Sequence, residues 1–213
     1  MNTLLGGFTT FGKHSYQMKT LLTILLITCF TLTTYGQEEK KLNTHAAQFT
    51  VLTGLIQPVL LNGVNLAGTY FTNRVSFEYS HGMFLNYPEF LRKDENALRV
   101  YSPWSTGAGI GFRINSKYDV RAESKAHRYL VDLINNNQAE YTVYSLGVGV
   151  YSRHYLGKHF LFEYSLRYWP NVSSTLANDI FLYSDEQGNT LSHKAHPLGI
   201  IFNVSFGYTF CKD

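Results

Sequence analysis

The chain contains 213 residues with a formal net charge of +3, and only 15% of the residues are charged. This low charge, with 16 Tyr, 15 Phe and 17 Gly, is untypical of a disordered chain and of a nucleic-acid-binding protein. The chain is rich in aromatic residues and glycine, and these recur at regular spacing along it.

An apolar segment near the N-terminus predicts a secretory signal peptide. Met18 and Lys19 precede the run LLTILLITCFTLT, and the residues up to Gly36 suit a signal peptidase. The run has about 13 residues, whereas a membrane-spanning helix needs about 20. We therefore predict an N-terminal extension plus signal peptide over 1–36, with translation starting at Met18 and cleavage after Gly36, followed by one domain over 37–213.

The chain has two cysteines, which limits the covalent modifications and metal sites that cysteine could provide. Lipidation of Cys29 would make the chain a lipoprotein, but Thr28 is a poor fit before a lipidated cysteine. Cleavage after Gly36 leaves Cys211 as the only cysteine. That excludes an internal disulfide and a cysteine-based metal cluster.

The predicted domain alternates apolar and polar residues with a period of two, which is typical of β-strands. Two strands, about Phe49 to Leu61 and Val64 to Thr72, would join at the hairpin signal Asn62-Gly63, although Pro58 interrupts the first. Six more alternating segments follow, which makes eight strands: Val75–Tyr79, Ala108–Ile114, Tyr118–Lys125, Tyr144–Val150, Phe160–Trp169 and Phe202–Phe210.

Short and long connections alternate along the chain. The short ones are Thr72–Arg74, Asn115–Lys117 and Leu156–Lys158, and the long ones are Asn86–Pro103, Arg128–Ala139 and Pro170–Pro197. An up-and-down transmembrane barrel has this pattern, with short periplasmic turns and longer outer loops. The Asn62-Gly63 hairpin is the exception, because a long loop is expected there. Within the last loop, Asp185 to Gly188 predicts a turn between two further strands.

Alternation alone does not decide which face of the sheet meets water, and a soluble eight-stranded barrel such as a lipocalin is the rival to a membrane barrel. Phe and Tyr occupy one face. Glycine on a solvated strand face would weaken the strand, whereas in a narrow lumen it leaves room for long side chains. The opposite face carries six glycines, so we predict a polar interior: Gly107, Gly109, Gly111, Gly147, Gly149 and Gly207.

Charges on the predicted inner face are balanced. An unpartnered charge in a lumen would cost several kcal/mol, so we expect these side chains to pair. The alternative is a solvated sheet face with charges of both signs. Four are acidic and four are basic: Glu78, Asp119, Glu123 and Glu163, with Arg113, Arg121, Lys125 and Arg167.

The leader, the eight alternating strands and the closing segment FNVSFGYTF resemble the small eight-stranded outer-membrane β-barrels of Gram-negative bacteria, of the OmpX, OmpW and OmpA-barrel type. The resemblance covers about Thr44 to Phe210 and is one of architecture. It implies a location in the outer membrane, contact with lipid and lipopolysaccharide, and recognition of Phe206, Tyr208 and Phe210 by the barrel-assembly machinery. The sequence departs from that group in continuing to Cys211-Lys212-Asp213 after the aromatic residue.

Three residues, His81, Ser102 and Thr106, are weak candidates for catalysis, and strand parity places His81 on the lipid face. Some outer-membrane barrels that modify lipid A activate a hydroxyl with a histidine. Ser102 or Thr106 on the neighbouring strand could supply that hydroxyl. The alternative is an interfacial His81, and the sequence favours a non-enzymatic protein since no third residue is evident.

His193 and His196 are spaced so that they could share a metal ion, but no third ligand is evident and a solvated loop is the alternative. No phosphate-binding loop, nucleophile elbow or zinc-protease motif occurs, so we predict no cofactor. A narrow pore is a further alternative function. Eight strands leave an interior that side chains fill, which favours a structural or surface-interaction role through the outer loops.

Overall fold

A computed structural model describes residues 47–92, 96–196 and 199–211. The predicted signal peptide and its cleavage site lie outside these residues. Among the described residues, no helix is long and apolar enough to cross a membrane. The strands are β1 Gln48–Gly54, β2 Val64–Phe71, β3 Val75–Tyr87, β4 Ala97–Arg113, β5 Tyr118–Leu133, β6 Gln138–Leu156, β7 Phe160–Trp169, β8 Asn171–Ser174, β9 Ile180–Ser184, β10 Thr190–Lys194 and β11 Gly199–Cys211, with one short helix, α1 Ile56–Leu60.

Eight of these strands, β1 to β7 and β11, form a closed antiparallel barrel. Successive strands pair along the chain from β1 to β7, and β11 lies between β7 and β1. The seam between first and last strands runs from Gln48 opposite Cys211 to Gly54 opposite Ser205. The predicted all-β, eight-stranded, up-and-down barrel is therefore confirmed. Closure leaves no unpaired edge along the barrel wall.

The barrel has two unlike ends. At one end, three short turns over 72–74, 114–117 and 157–159 lie beside the start of β1 and the end of β11. We call this the turn end. At the opposite end, which we call the loop end, the connections are 55–63, 88–96, 134–137 and 170–198.

The first predicted strand is wrong beyond Gly54. The chain turns there into α1, in which Pro58 is tolerated because it sits in the first helical turn, and Asn62 adopts a left-handed φ of 48°. The predicted two-residue hairpin at Asn62-Gly63 is thus a longer loop-end connection over 55–63. This removes the exception in the alternation of short and long connections.

The predicted loop Arg128–Ala139 is also wrong. β5 continues to Leu133 and β6 begins at Gln138, and they pair in unbroken register from Tyr118 opposite Ser152 to Asp132 opposite Gln138. β4 and β5 also pair above the rest of the barrel wall, as far as Ala97 opposite Leu133. The strands β3 to β6 therefore form an arm that rises above the barrel at the loop end.

The last connection contains the predicted hairpin. β9 and β10 pair from Ile180–Lys194 to Ser184–Thr190, and Asp185 forms backbone hydrogen bonds with Asn189 and Gly188 across the turn. Tyr183 of β9 is buried against the inner face of the arm. With Ala195 it belongs to an apolar cluster that closes the loop end, whose other members are Leu85, Tyr87, Ala97, Val100, Tyr129, Val131, Leu133, Ala139, Tyr141 and Val143.

Two irregularities reverse the alternation of side chains at the base of the arm. Phe84 in β3 has a φ of 61°, and β4 has one extra residue relative to β5 between Tyr101 and Ser105. A bulge of this kind shifts the following residues to the opposite face. Below the bulges Glu78 points inward, and above them Leu85 and Tyr87 do.

Candidate functional site

The interior of the barrel is a layered network of charged side chains centred on Arg121. This side chain is fully buried, and it bonds Asp119 at 2.5 Å, Glu163 at 2.9 Å and Glu78. Its guanidinium also lies 3.7 Å from the ring centroid of Tyr151. Arg121 thus joins β3, β5 and β7 across the lumen, and its fork of five donors suits several carboxylates at once.

A second layer lies toward the loop end. Glu123 accepts a 2.6 Å hydrogen bond from Trp169 Nε1, and the ammonium of Lys125 lies 5.0 Å from the ring centroid of the same tryptophan. Lys125 also donates to Ser80. Arg167 lies 5.3 Å from the Trp169 ring centroid. Trp169 therefore lies beside two buried cations and donates a hydrogen bond to one carboxylate.

A third layer lies at the turn end, around the buried ring of Phe71. The guanidinium carbon of Arg153 lies 4.1 Å from the ring centroid, and that of Arg113 lies 5.3 Å from it. Arg153 contacts Asp119 at 3.1 Å. Arg113 donates a 2.7 Å hydrogen bond to the carbonyl oxygen of Thr72.

The structure brings all eight predicted lumen charges into the interior, where each is at most 6% exposed. Sequence reasoning missed Arg153, which is fully buried. Its signal was present: Tyr151 and Arg153 continue the inward parity of Gly147 and Gly149 beyond Val150, where the predicted strand stopped.

Glycines flank the charged residues of β5 in the register. Arg121 lies between Gly111 and Gly149, and Glu123 lies between Gly109 and Gly147. A Cβ atom at Gly111 would lie 2.7 Å from Arg121 Cγ. Gly107, Gly109, Gly111 and Gly149 therefore provide space beside Lys125, Glu123, Arg121 and Arg167, whereas a Cβ atom at Gly147 would meet Trp169 and one at Gly207 would meet Leu52.

The polarity of the barrel wall inverts at one height. On β5, the outward positions Tyr118 and Val120 are apolar below Arg128, while Arg128 pairs with Glu140 on the outer surface above that height. The inward positions change in the opposite sense, from charged residues to Tyr129, Val131 and Leu133. The outer face of β6 changes from polar to apolar at the same height, since Thr142 is opposite Arg128 in the register and the outward residues Leu146 and Val148 lie below it.

The predicted metal pair lies inside the loop-end cluster rather than in a solvated loop. His193 is 2% exposed, and its Nε2 lies 3.0 Å from the hydroxyl of Tyr141. The backbone N–H of His196 donates to the same hydroxyl at 3.1 Å, and the His196 ring packs against Tyr87 and Tyr129. Among the described residues, no group of three His, Cys, Asp or Glu side chains is arranged to hold a metal ion.

The three catalytic candidates do not form one constellation. His81 is opposite Thr106 in the register, but the Thr106 hydroxyl hydrogen-bonds Tyr79 at 3.0 Å. Ser102 is fully buried on the inner face and donates to the carbonyl oxygen of Trp104 at 3.0 Å. The β4 bulge is the reason, because it reverses the parity that had placed Ser102 beside His81.

The terminal strand contributes an aromatic patch to the outside of the wall. Phe206 lies 5.7 Å from Phe160 and Tyr208 lies 4.9 Å from Phe210, between ring centroids. Phe210 also approaches Phe49 on β1 at 6.1 Å. The patch covers both sides of the last strand, including the seam that closes the barrel.

Together these features define the class of the protein: a closed antiparallel β-barrel with an apolar outer band and an interior filled by charged side chains. No protein family model matches the sequence, and no curated protein matches it. The chain is similar to the structure of a major outer membrane protein from Thermus thermophilus, with a TM-score of 0.38, 10% identity, and coverage of 78% of this chain and 100% of that one. A similarity this distant carries no argument about function.

Proposed function

We propose that the chain is an integral protein of a bacterial outer membrane with a structural or surface-interaction role. The polarity inversion on β5 and β6 carries this proposal. Below Arg128 the outer surface is apolar, with Leu146 56% and Val148 55% exposed, and the interior is charged. Above Arg128 the outer surface carries the Arg128–Glu140 ion pair and the inner face is apolar, as in a water-soluble protein. One wall therefore fits two solvents, hydrocarbon below and water above.

The height of the apolar band supports the same proposal. It extends along β5 from Tyr118 to Arg128. Ten residues of strand rise about 33 Å, which a tilt of about 40° reduces to about 25 Å. That is the height of the apolar band of known transmembrane barrels, about 25 Å.

The turn end would then face the periplasm and the loop end the exterior. The arm and the β9–β10 hairpin offer a surface for partners, with Leu98 59% and Leu182 65% exposed. Exposed apolar side chains on a rigid support favour recognition of another surface. Outer-membrane lipid and lipopolysaccharide would surround the band. The outward Tyr208 and Phe210 suit recognition by the barrel-assembly machinery during insertion.

The filled interior favours a sealed barrel over a pore. Arg121, Tyr151 and Arg153 are fully buried in the lumen, and the loop end carries its own apolar cluster. Lipid modification by His81 gains no support, since Ser102 faces the interior and the Thr106 hydroxyl bonds Tyr79.

Membrane fractionation of cells expressing the full chain tests the proposal. The protein is expected in the outer-membrane fraction, with a gel mobility that changes on heating as the barrel unfolds. Recovery in the soluble periplasmic fraction without a mobility change would contradict it. In planar bilayers the purified protein is expected to give almost no conductance, whereas steady channels would support the pore instead.

A further inference from the structure

The turn end of the lumen holds more positive charge than its carboxylates can neutralise. Five cationic side chains lie in the described lumen, Arg113, Arg121, Lys125, Arg153 and Arg167. They face four carboxylates, Glu78, Asp119, Glu123 and Glu163. One formal positive charge is therefore left over in a region where an uncompensated charge costs several kcal/mol.

The pairing pattern places this excess at Arg113 and Arg153. Arg121 takes Glu78 and Glu163, and Glu123 lies in the layer of Lys125 and Arg167. Asp119 remains as the carboxylate of the turn-end layer, but it already accepts a bond from Arg121 while contacting Arg153. Within the described residues, no ion pair joins Arg113 to a carboxylate.

Five buried guanidinium nitrogen atoms of these two arginines donate no hydrogen bond within the described residues. They are Nε and Nη2 of Arg113 and all three nitrogen atoms of Arg153, of which only Nη2 contacts a carboxylate, that of Asp119. The guanidinium carbons of Arg113 and Arg153 lie 5.3 Å and 4.1 Å from the centroid of the Phe71 ring, so both groups lie around this one side chain at the turn end. Guanidinium donors in a dry site bind small anions strongly, because the hydrogen bonds are assisted by charge.

The surface at the turn end would attract an anion to this compartment. The three turns carry Arg74, Lys117 and Lys158 and contain no acidic residue. Arg113 lies at the last position of β4 and keeps 5% of its surface exposed. Arg74 is exposed, and a cation at the entrance to a site raises the local concentration of anions there.

We propose that Arg113 and Arg153 form a binding site for one small inorganic anion, of the size of chloride or phosphate, at the turn end of the lumen. The anion supplies the missing negative charge and accepts the free guanidinium N–H groups. Its binding stabilises the barrel from within. The site does not depend on the surface role proposed for the loop end.

Thermal unfolding of the detergent-solubilised full chain tests the site, with unfolding followed by gel mobility. The protein is transferred to a buffer whose anion is gluconate, and chloride or phosphate is added while gluconate keeps the ionic strength constant. A saturable rise in melting temperature is expected, about 5 to 10 °C at a hundred times the dissociation constant. No rise, or an equal rise with added gluconate alone, would overturn the proposal.

Variants locate the effect. Arg113→Gln is expected to abolish the anion-dependent rise, and Arg74→Gln, a change at an exposed turn residue, is expected to keep it. If Arg113→Gln fails to fold, bromide is soaked into crystals of the unaltered chain, and an anomalous peak between Arg113 and Arg153 is expected. Absence of that peak would overturn the proposal.

Discussion

Arg121 Nη2 donates a 2.9 Å hydrogen bond to Glu163 Oε2, and this bond crosses the lumen from β5 to β7. The two strands are not neighbours, since β6 lies between them. Arg121 also reaches Glu78 on β3, on the other side of β4. Polar contacts therefore connect non-neighbouring strands across the interior of the barrel, in addition to the ladder bonds of its wall.

Replacement of Arg121 by Met is expected to destabilise the barrel strongly. It leaves Glu78, Asp119 and Glu163 without their shared cation, and breaking a buried ion pair costs about 3 to 5 kcal/mol. Urea unfolding from lipid vesicles measures the loss. The matched control is Arg128→Met, because Arg128 pairs with Glu140 on the exposed outer surface and should cost less than about 1 kcal/mol. Equal losses in the two variants would show that the lumen network does not stabilise the fold.

Gly111→Ala is expected to destabilise the barrel by about 1 to 3 kcal/mol, which is typical of overpacking. The new Cβ atom would lie 2.7 Å from Arg121 Cγ, in the space that this side chain needs. At Gly82 the nearest atom to an added Cβ lies at 3.5 Å, an ordinary contact, so Gly82→Ala is the control and should cost little. Both are compared in the same urea titration, and a neutral Gly111→Ala would refute the spacing argument.

Val148→Lys tests whether the outer band meets hydrocarbon. Val148 is 55% exposed and lies near the middle of the band, where a lysine on a lipid-facing wall costs about 2 to 4 kcal/mol. Leu98→Lys is the control, since Leu98 is as exposed but lies on the arm, where we expect almost no cost. Folding yield into vesicles measures both. A lysine tolerated equally well at the two positions would indicate that water surrounds the whole wall.

Tyr141→Phe is expected to loosen the loop end. It removes the hydroxyl that contacts His193 and binds the backbone N–H of His196, at a cost of about 1 to 3 kcal/mol. Cleavage near Asp185 by a protease added from outside should then become faster. Tyr144→Phe, on the exposed outer face of the same strand, should not change the cleavage rate. Unchanged cleavage in Tyr141→Phe would mean that the hairpin is held by its apolar contacts alone.

The β9–β10 turn is expected to weaken in acid. Hydrogen bonds from Asn189, its side-chain amide first, lower the pKa of Asp185 below its usual value. The carboxylate therefore supports the turn above the unfolded-state pKa of about 3.9, and the support is lost as the pH falls through the lower folded-state pKa. The protection factor of the Asn189 amide proton, taken relative to the unfolded chain at each pH, measures this. Asp185→Asn should make the protection factor independent of this titration, and a variant whose protection factor still falls in acid would contradict the assignment.

Much of the wall could be predicted from the sequence because a strand's alternation records which face each side chain occupies. In FLFEYSLRYW, the segment Phe160–Trp169, Leu166 and Tyr168 are exposed while Glu163 and Arg167 are buried. The charges and the glycines opposite them were sufficient to indicate a polar interior. Arg153 could have been included by continuing the same count along β6.

The arm could not be predicted, because its inward residues are apolar whereas the inward residues of the barrel below it are charged. Tyr129, Val131 and Leu133 have the inward parity of Lys125, but they are apolar. A pattern that reverses within one strand is indistinguishable in sequence from a strand that ends, so Arg128–Ala139 resembled a loop. The burial of His193 and His196 was hidden for the same reason, since it depends on the arm against which their segment packs.

The sequence by itself determined the period of the strands, their number and the polarity of their faces, because these depend on local spacing. Only the tertiary structure decided where the polarity inverts, which strands Arg121 connects, and that Ser102 faces inward. The contacts of Arg121 depend on the register of strands across the barrel, and the direction of Ser102 depends on the extra residue of β4 between Tyr101 and Ser105, because one extra residue in a strand moves the following side chains to the other face.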